Sequence, residues 1–220
     1  MGVIDINMSE YVNLVESYLD VSDINVVFEI GSLDGNDSIF FKEQFPNADV
    51  YAIEGLTENY EKYMKGLTTI TPINVVVADY DGNINYHKKE INGIHGIRNR
   101  GDEYGKTVLE GVICKRMDTL CGELGVTAID MVKIDVEGAT QEILTGFGNI
   151  LKTVKIMHIE TEAYPFFEGQ VLHSEVSRYL IENGFTMIEL SSVEIGVGVQ
   201  HDSVWVNNQY LQKKKFLSDE

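Results

Sequence analysis

Residues 26–35 read VVFEIGSLDG, and residues 129–144 read IDMVKIDVEGATQEIL. In the first, a short apolar run ends at two glycines four positions apart and gives way to a helical segment reaching Phe45. Four to six consecutive apolar residues closed by a glycine turn mark a strand buried on both faces. The second stretch repeats that order, with IDMVKID followed by a helix over 139–147. Between and after them stand DVYAIE with a helix over 57–65, INVVVA, and VKIMHIE. Buried strands separated by helices predict an α/β fold with a doubly wound, mostly parallel sheet.

The ends of the chain extend this plan. Ser9 is placed to cap a helix whose apolar positions Tyr11, Leu14, Val15, Tyr18 and Leu19 share one face, so residues 1–22 form a covering helix. Near the other end, a helix with Leu172, Val176, Tyr179 and Leu180 precedes FTMIEL and DSVWVN, joined through Gly196 and Gly198. Those two alternating segments predict an antiparallel C-terminal strand pair. Residues 83–117 form an insertion: Asp81-Gly82 signals a hairpin between VVVA and INYH, and TVLEGVICKRM is a further strand leading to a helix from Asp118. A chain of 220 residues arranged this way is one domain over 1–220.

Charge narrows the partners. Asp plus Glu number 35 against 17 Lys plus Arg, a net charge of -18, which repels phosphate backbones and argues against nucleic acid. No apolar stretch approaches the ~20 residues of a membrane span. The start MGVIDINMSE lacks the basic and apolar regions of a signal peptide, so no membrane insertion and a cytoplasmic location are expected. Cys114 and Cys121 are then reduced thiols, and the KKKF run near the C-terminus is a solvated end.

The first strand–helix turn carries the clearest chemistry. Glycines at 31 and 35 let the backbone bend sharply and approach a ligand. Dinucleotide sites use G-x-G-x-x-G there, whereas this chain has G-x-x-x-G preceded by Glu29, an acid that suits an amino group better than a diphosphate. A nicotinamide oxidoreductase is disfavoured on that ground. Glu54 ends the next strand 19 residues after Gly35, where a carboxylate accepts hydrogen bonds from both ribose hydroxyls. The two turns together specify a nucleoside without a pyrophosphate.

These residues resemble a known family. VVFEIGSLDGNDS, VYAIEG, VVVADYDG and above all IDMVKIDVEGATQEIL are similar to successive motifs of the FkbM-type S-adenosylmethionine-dependent O-methyltransferases, across about residues 25–162. The resemblance implies a class I methyltransferase (Rossmann-like) fold with a seven-stranded sheet, S-adenosyl-L-methionine as donor, and frequently a sugar or glycan hydroxyl as acceptor. It implies that Gly31, Ser32 and Gly35 line the methionine end, that Glu54 with Gly55 holds the ribose, and that Ala78 and Asp79 lie near the adenine. Leu33 stands where the family commonly has Asn, and Gly55 where it commonly has Pro.

Methyl transfer is an in-line displacement that needs the acceptor oxygen positioned and its proton removed. Side-chain alternation puts Asp135 and Glu160 at the ends of neighbouring strands, so Asp135, Glu137, Glu160 and Glu162 converge on the sheet edge. Two solutions to their repulsion stand open. One is a divalent cation, Mg²⁺ or Mn²⁺, held by Asp135 and Glu160 where catechol-type relatives of this fold place metal ligands. The other is a general base whose pKa is raised by its neighbours. Gly138 occupies the place of the lysine that the catechol-type enzymes use.

Other polar residues divide between site and scaffold. Lys133 is expected to pair with Glu29 on the neighbouring strand, and His158 to be a core histidine. Residues 87–106 carry Lys88, Lys89, Arg98, Arg100 and Lys106 against Glu90, Asp102 and Glu103, with Gly93, Gly96, Gly101 and Gly105. They form either a mobile cationic flap over the acceptor, with His95 as a proton acceptor, or a solvated loop. Tyr164-Pro165-Phe166-Phe167 offers a platform for a sugar ring or a cap over the sheet edge. The sequence thus supports an O-methyltransferase acting on a sugar, nucleotide sugar or oligosaccharide. A non-sugar metabolite as acceptor, or a catalytically silent cofactor-binding protein, are the alternatives.

Overall fold

A computed structural model describes residues 6–91, 93–101, 105 and 107–211. The expectations for residues 1–5, for Asp102, Glu103 and Lys106, and for the KKKF run lie outside the described residues. In chain order the strands begin β1 (Val26–Ile30), β2 (Asp49–Glu54), β3 (Thr71–Asn74), β4 (Val76–Val77), β5 (Gly82–Lys88) and β6 (Thr107–Lys115). They continue with β7 (Met131–Ile134), β8 (Ile156–Glu162), β9 (Phe185–Ile195) and β10 (Gly198–Asn207). Seven of these make the main sheet in the order β3-β2-β1-β7-β8-β10-β9. β1 pairs in parallel with both β2 and β7, and β10 runs antiparallel between β8 and β9, as the alternating C-terminal segments require. The strand order reverses at β1, which opens a crevice at the carboxyl ends of β1 and β7.

Alternation along each strand sends successive side chains to two separate cores. On one face Val27, Val50, Ala52 and Met131 pack with Phe41 and Phe45 around α2 (Asn36–Gln44) and with Tyr11 and Val15 of α1 (Met8–Tyr18). On the other, Phe28, Ile30, Val132, Ile134, Met157 and Trp205 pack under α4 (Met117–Leu124), α5 (Thr140–Gly146) and α6 (His173–Glu182). α1 starts one residue after Asn7, not at a Ser9 cap. The Asn7 side chain accepts the Glu10 N–H at 3.1 Å while Glu10 accepts the Asn7 N–H at 3.1 Å, a reciprocal closure that leaves Ser9 inside the helix. The Tyr11 hydroxyl donates to the Val132 carbonyl at 2.8 Å and ties α1 to the centre of the sheet. α3 (Thr57–Asn59) is a single turn that passes into a π-helical turn, Tyr60–Met64, in place of the α-helix expected over 57–65. Among the described residues no helix is long and apolar enough to cross a membrane.

The run INVVVA divides between two sheets. β3 ends at Asn74, and Val76 and Val77 pair in parallel with β6 in a second sheet of order β4-β6-β5. The expected hairpin between VVVA and INYH is therefore corrected: β6 lies between β4 and β5, so the Asp81-Gly82 turn joins strands that do not touch. That turn is held from the far side. The Asp81 carboxylate accepts the Arg116 N–H and the Thr119 hydroxyl, each at 2.8 Å, at the start of α4. Cys114 and Cys121 are buried free thiols, and burial pushes Cys121 up to about 12.

The crossover is packed backbone to backbone where α5 meets the end of INVVVA. A Cβ on Gly146 would stand 2.1 Å from the Ala78 carbonyl oxygen. Gly146→Ala should therefore cost about 3 kcal/mol through displacement of the helix, read as a fall of about 6–12 °C in Tm. A melting curve unchanged within a degree would show that α5 can move away freely.

Candidate active site

The turn after β1 explains both of its glycines. Gly31 has φ +89°, and a Cβ there would lie 1.8 Å from the Asp135 carbonyl oxygen, so only glycine lets the β1 and β7 turns meet. Gly35, at φ +78°, opens α2 and supplies no side-chain cap. Glu29 supplies it instead, from the preceding strand: its carboxylate accepts the Ser38 N–H at 3.0 Å and the Ser38 hydroxyl. Glu29 is 1% exposed and does not line the cavity; its carboxylate serves as helix cap and partner of Lys133. Burial first, with Lys133 opposing, raises its pKa to about 7. Ser32 also turns inward, donating to the Glu29 carbonyl at 3.2 Å.

A cavity of about 150 Å³ lies over this turn, lined by Gly31, Leu33, Ile53, Glu54 and Gly55 among others. Glu54 is buried, and each of its oxygens accepts one backbone N–H, Leu56 at 2.7 Å and Leu33 at 2.9 Å. Each oxygen keeps a lone-pair direction for a further donor. Val75, Val76 and Val77 form an apolar wall, whereas Ala78 and Asp79, expected near an adenine, do not line the cavity. Their places are taken by packing: the Ala78 N–H donates to the Lys115 carbonyl at 2.9 Å and the Asp79 carbonyl accepts from Arg116 at 2.8 Å. Tyr86 of β5 closes another side, with its ring against Gly55, where a Cβ would meet it at 3.2 Å. Glycine in place of proline at 55 thus makes room for an aromatic ring from the insertion.

At the β7 end, Asp135 and Glu137 face the same cavity, and with Glu160 they offer carboxylate oxygens all within 4.8 Å of one another. Two cations answer these three acids. Lys133 Nζ lies 3.3 Å from Asp135, 2.7 Å from Asp37 and 3.6 Å from Glu29, which includes the expected pair. Arg100 lies 3.3 Å from Glu137. Glu160 has no cation within 4 Å among the described residues, and burial followed by the charge of Asp135 pushes its pKa well up. Burial and Asp135 likewise raise Glu137 to about 8, and burial raises Glu162 to about 7. His158 is buried on the scaffold side of β8, 3.3 Å from Asp202.

The basic segment docks on this rim. His95, Gly96 and Ile97 line the cavity together with Glu54, and Gly96 packs on the Glu137 backbone, where a Cβ would lie 3.3 Å from the carbonyl oxygen. Arg98 pairs with Glu142 and donates to the Glu168 carbonyl at 2.9 Å. The Arg100 guanidinium also lies over the Phe166 and Phe167 rings, 5.3 Å from each centroid. Both arginines are therefore engaged by the protein's own groups. Lys89, 4% exposed, is held by Asn99, Gly101 and Gly105. His95 Nδ1 accepts the Lys89 N–H at 3.0 Å, and burial followed by Lys88 lowers the His95 pKa. The neutral ring thus carries its proton on Nε2, so a role as base would require that hydrogen bond to break.

Among the side chains in this cavity that a sequence reading does not assign to a site are Asn59, Tyr86 and Ile97.

Comparison with known proteins follows the same residues. The model of the methyltransferase FkbM domain matches residues 29–187. The 2-O-methyltransferase NoeI of Sinorhizobium fredii is 25% identical over 162 residues, 66% of this chain and 67% of that protein. The hexuronic acid methyltransferase AglP of Haloferax volcanii is 29% identical over 120 residues, 54% of this chain. The chain thus spans about two thirds of the first relative and 45% of the second. Among solved structures, the N-terminal domain of EvdMO1 with S-adenosylhomocysteine bound superposes with a TM-score of 0.51 at 10% identity, covering 93% of this chain and 82% of that one. This likeness shows the class I methyltransferase fold.

The crowded acids make stability depend on pH. Glu29, Glu137, Glu160 and Glu162 all bind a proton more tightly folded than unfolded, where they ionise near 4.5. Folding then takes up protons, so stability falls as pH rises from about 5 to about 8. Tm at pH 8 should be about 4–8 °C below that at pH 5.5, and Glu160→Gln should flatten the dependence. A Tm that instead rises across this range would contradict the charge assignment.

Proposed function

The chain belongs to the methyltransferase FkbM domain family, and from that membership we propose that it moves a methyl group from S-adenosylmethionine to a hydroxyl of a sugar or glycan. The observation that carries this reading is the sharing of one cavity by the nucleoside-type residues Gly31 and Glu54 and the acids Asp135 and Glu137. Both curated relatives are named as methyltransferases, one for 2-O transfer and one for a hexuronic acid, which supports a sugar acceptor.

The residues suit the donor. Gly31 removes the Cβ that would close the turn, Glu54 keeps two lone-pair directions for ribose hydroxyls, and Ile53 with Val75, Val76 and Val77 gives the base an apolar wall. When bound, the donor supplies a methyl group on a positively charged sulfur. The chain's own part is to position the acceptor oxygen and take its proton. Asp135 faces the cavity beside the Lys133 ammonium and is the group to which we assign that proton. Burial and the neighbouring acids raise the pKa of Glu137 to about 8 and push that of Glu160 well up, which favours forms that hydrogen-bond to an acceptor over forms that repel the developing oxyanion. His95, with Nε2–H, is a donor to the acceptor and not a base. Tyr164, 42% exposed beside Phe166, offers a sugar ring an apolar face at the rim.

Convergence of three carboxylates also favours a second reading, in which Asp135, Glu137 and Glu160 hold Mg²⁺ or Mn²⁺. Such a cation would replace the protons and lower the pKa of the acceptor hydroxyl.

Two variants separate donor from chemistry. Glu54→Ala should weaken S-adenosylhomocysteine binding by about 1–3 kcal/mol in calorimetry. Asp135→Asn should leave that affinity within about threefold and cut turnover by about a hundredfold or more, as loss of a base does. Equal affinity in Glu54→Ala, or parental turnover in Asp135→Asn, would remove the corresponding role.

The metal reading is tested on the parent enzyme. With a divalent cation at the acids, excess chelator should abolish turnover and Mg²⁺ or Mn²⁺ should restore it. Full turnover in a metal-free sample would leave proton transfer to Asp135 as the mechanism.

A further inference from the structure

Asn59 closes α3 at the point where the backbone widens into the π-helical turn, a geometry that concentrates at functional sites. It is 5% exposed and lines the cavity between Glu54 and the apolar wall. Its amide nitrogen lies near enough to Glu54 to favour the charged carboxylate, yet it has no hydrogen-bond partner among the described residues. The Glu54 oxygens each take one backbone N–H, from Leu33 and Leu56, and the Glu54 carbonyl takes the Asn74 amide at 2.8 Å, so the remaining lone pairs of the Glu54 carboxylate and the Asn59 amide border the same cavity without a hydrogen bond of normal geometry between them. A sealed amide donor without an acceptor is destabilising, so a protein that keeps one beside a cavity gains from it only when a ligand brings the acceptor.

We propose that Asn59 is a ribose-binding residue. A ribose hydroxyl that donates its proton to Glu54 still has oxygen lone pairs, and the Asn59 amide nitrogen donates to one of them. Glu54 and Asn59 then grip a single hydroxyl from its two sides, and each bond polarises the other. This requires a sugar hydroxyl at that position, so the pair selects a ribonucleoside over a deoxyribonucleoside. The inference rests on the donor reading above and adds to it a residue that acts on binding alone.

The test is calorimetric titration of S-adenosylhomocysteine, and of its 2′-deoxy and 3′-deoxy analogues, into the parent protein, Asn59→Leu and Asn59→Asp. Asn59→Leu keeps the volume and removes the unpaired donor, so its Tm without ligand should equal or exceed the parent's while its affinity for S-adenosylhomocysteine falls about tenfold or more. Asn59→Asp, which keeps the shape but turns the donor into an acceptor beside Glu54, should lose at least as much. The analogue lacking the gripped hydroxyl should bind parent and Asn59→Leu alike. Parental affinity in both variants would overturn the assignment, as would a Tm loss in Asn59→Leu that accompanies the affinity loss with every analogue. If the parent itself bound no S-adenosylhomocysteine, the donor reading would fall, whereas parental binding with indifferent variants removes Asn59 alone.

Discussion

A buried ammonium holds the cleft together. Lys133 is 7% exposed in the middle of β7, and burial opposes its charge, but Asp135, Glu29 and Asp37 together keep its pKa above the usual lysine range. Those three acids belong to the rim, to β1 and to α2 in turn. One cation therefore bridges two strands, the start of a helix and a carboxylate that faces the cavity. Glu29 transmits the constraint further, because the carboxylate that faces Lys133 also caps α2, whose first turn begins with a glycine unable to cap it. Loss of the ammonium would leave buried carboxylates uncompensated.

The same two turns store backbone strain. Leu33 and Glu137 are the described non-glycine residues with positive φ, at 53° and 48°, and each sits in one of the facing turns. A left-handed conformation costs an ordinary residue about 1–2 kcal/mol. At Leu33 it aims the backbone N–H at the Glu54 carboxylate. At Glu137, followed by Gly138 at φ +78°, it turns the side chain back toward Asp135, where the ring of Phe167 fills the space that a Cβ at 138 would need. Asparagine, which tolerates this conformation better than leucine, is the residue the family resemblance leads one to expect at 33. The strain at both turns is thus spent on orienting polar groups toward one cavity.

What was legible in the sequence followed from periodicity. β1, β2, β7 and β8 are continuous apolar runs, and burial on both faces admits no other reading, so their order around the β1 switch point and the rim position of Asp135 and Glu160 were accessible. The Lys133–Glu29 pair was accessible too, since both occupy the same face of adjacent strands. The capping role of Glu29 was hidden, because nothing local reveals that Gly35 leaves α2 without a side-chain cap. INVVVA reads as one strand although the chain changes sheets at Val75, because the partner that draws Val76 and Val77 away lies almost forty residues downstream in β6. Ala78 and Asp79 were displaced from the cavity by that same change. Asn59 was hidden for a different reason: a buried polar side chain in a helix has the same sequence signal whether it is satisfied or waiting for a ligand.

Charge balance accounts for the insertion. A chain with twice as many acids as bases places Asp135, Glu137, Glu160 and Glu162 together, an arrangement that costs free energy in a low-dielectric cleft. Arg98 and Arg100 come from the insertion and pair with Glu142 and Glu137, at the foot of α5 and at its preceding turn. Within the segment, Arg100 thus supplies a counter-charge to the rim, while Lys88 pairs with Glu58 and Lys89 is held by Asn99 and two carbonyls. Covering and neutralising coincide in this geometry: the segment that brings Arg100 to Glu137 also places His95, Gly96 and Ile97 in the wall of the cavity.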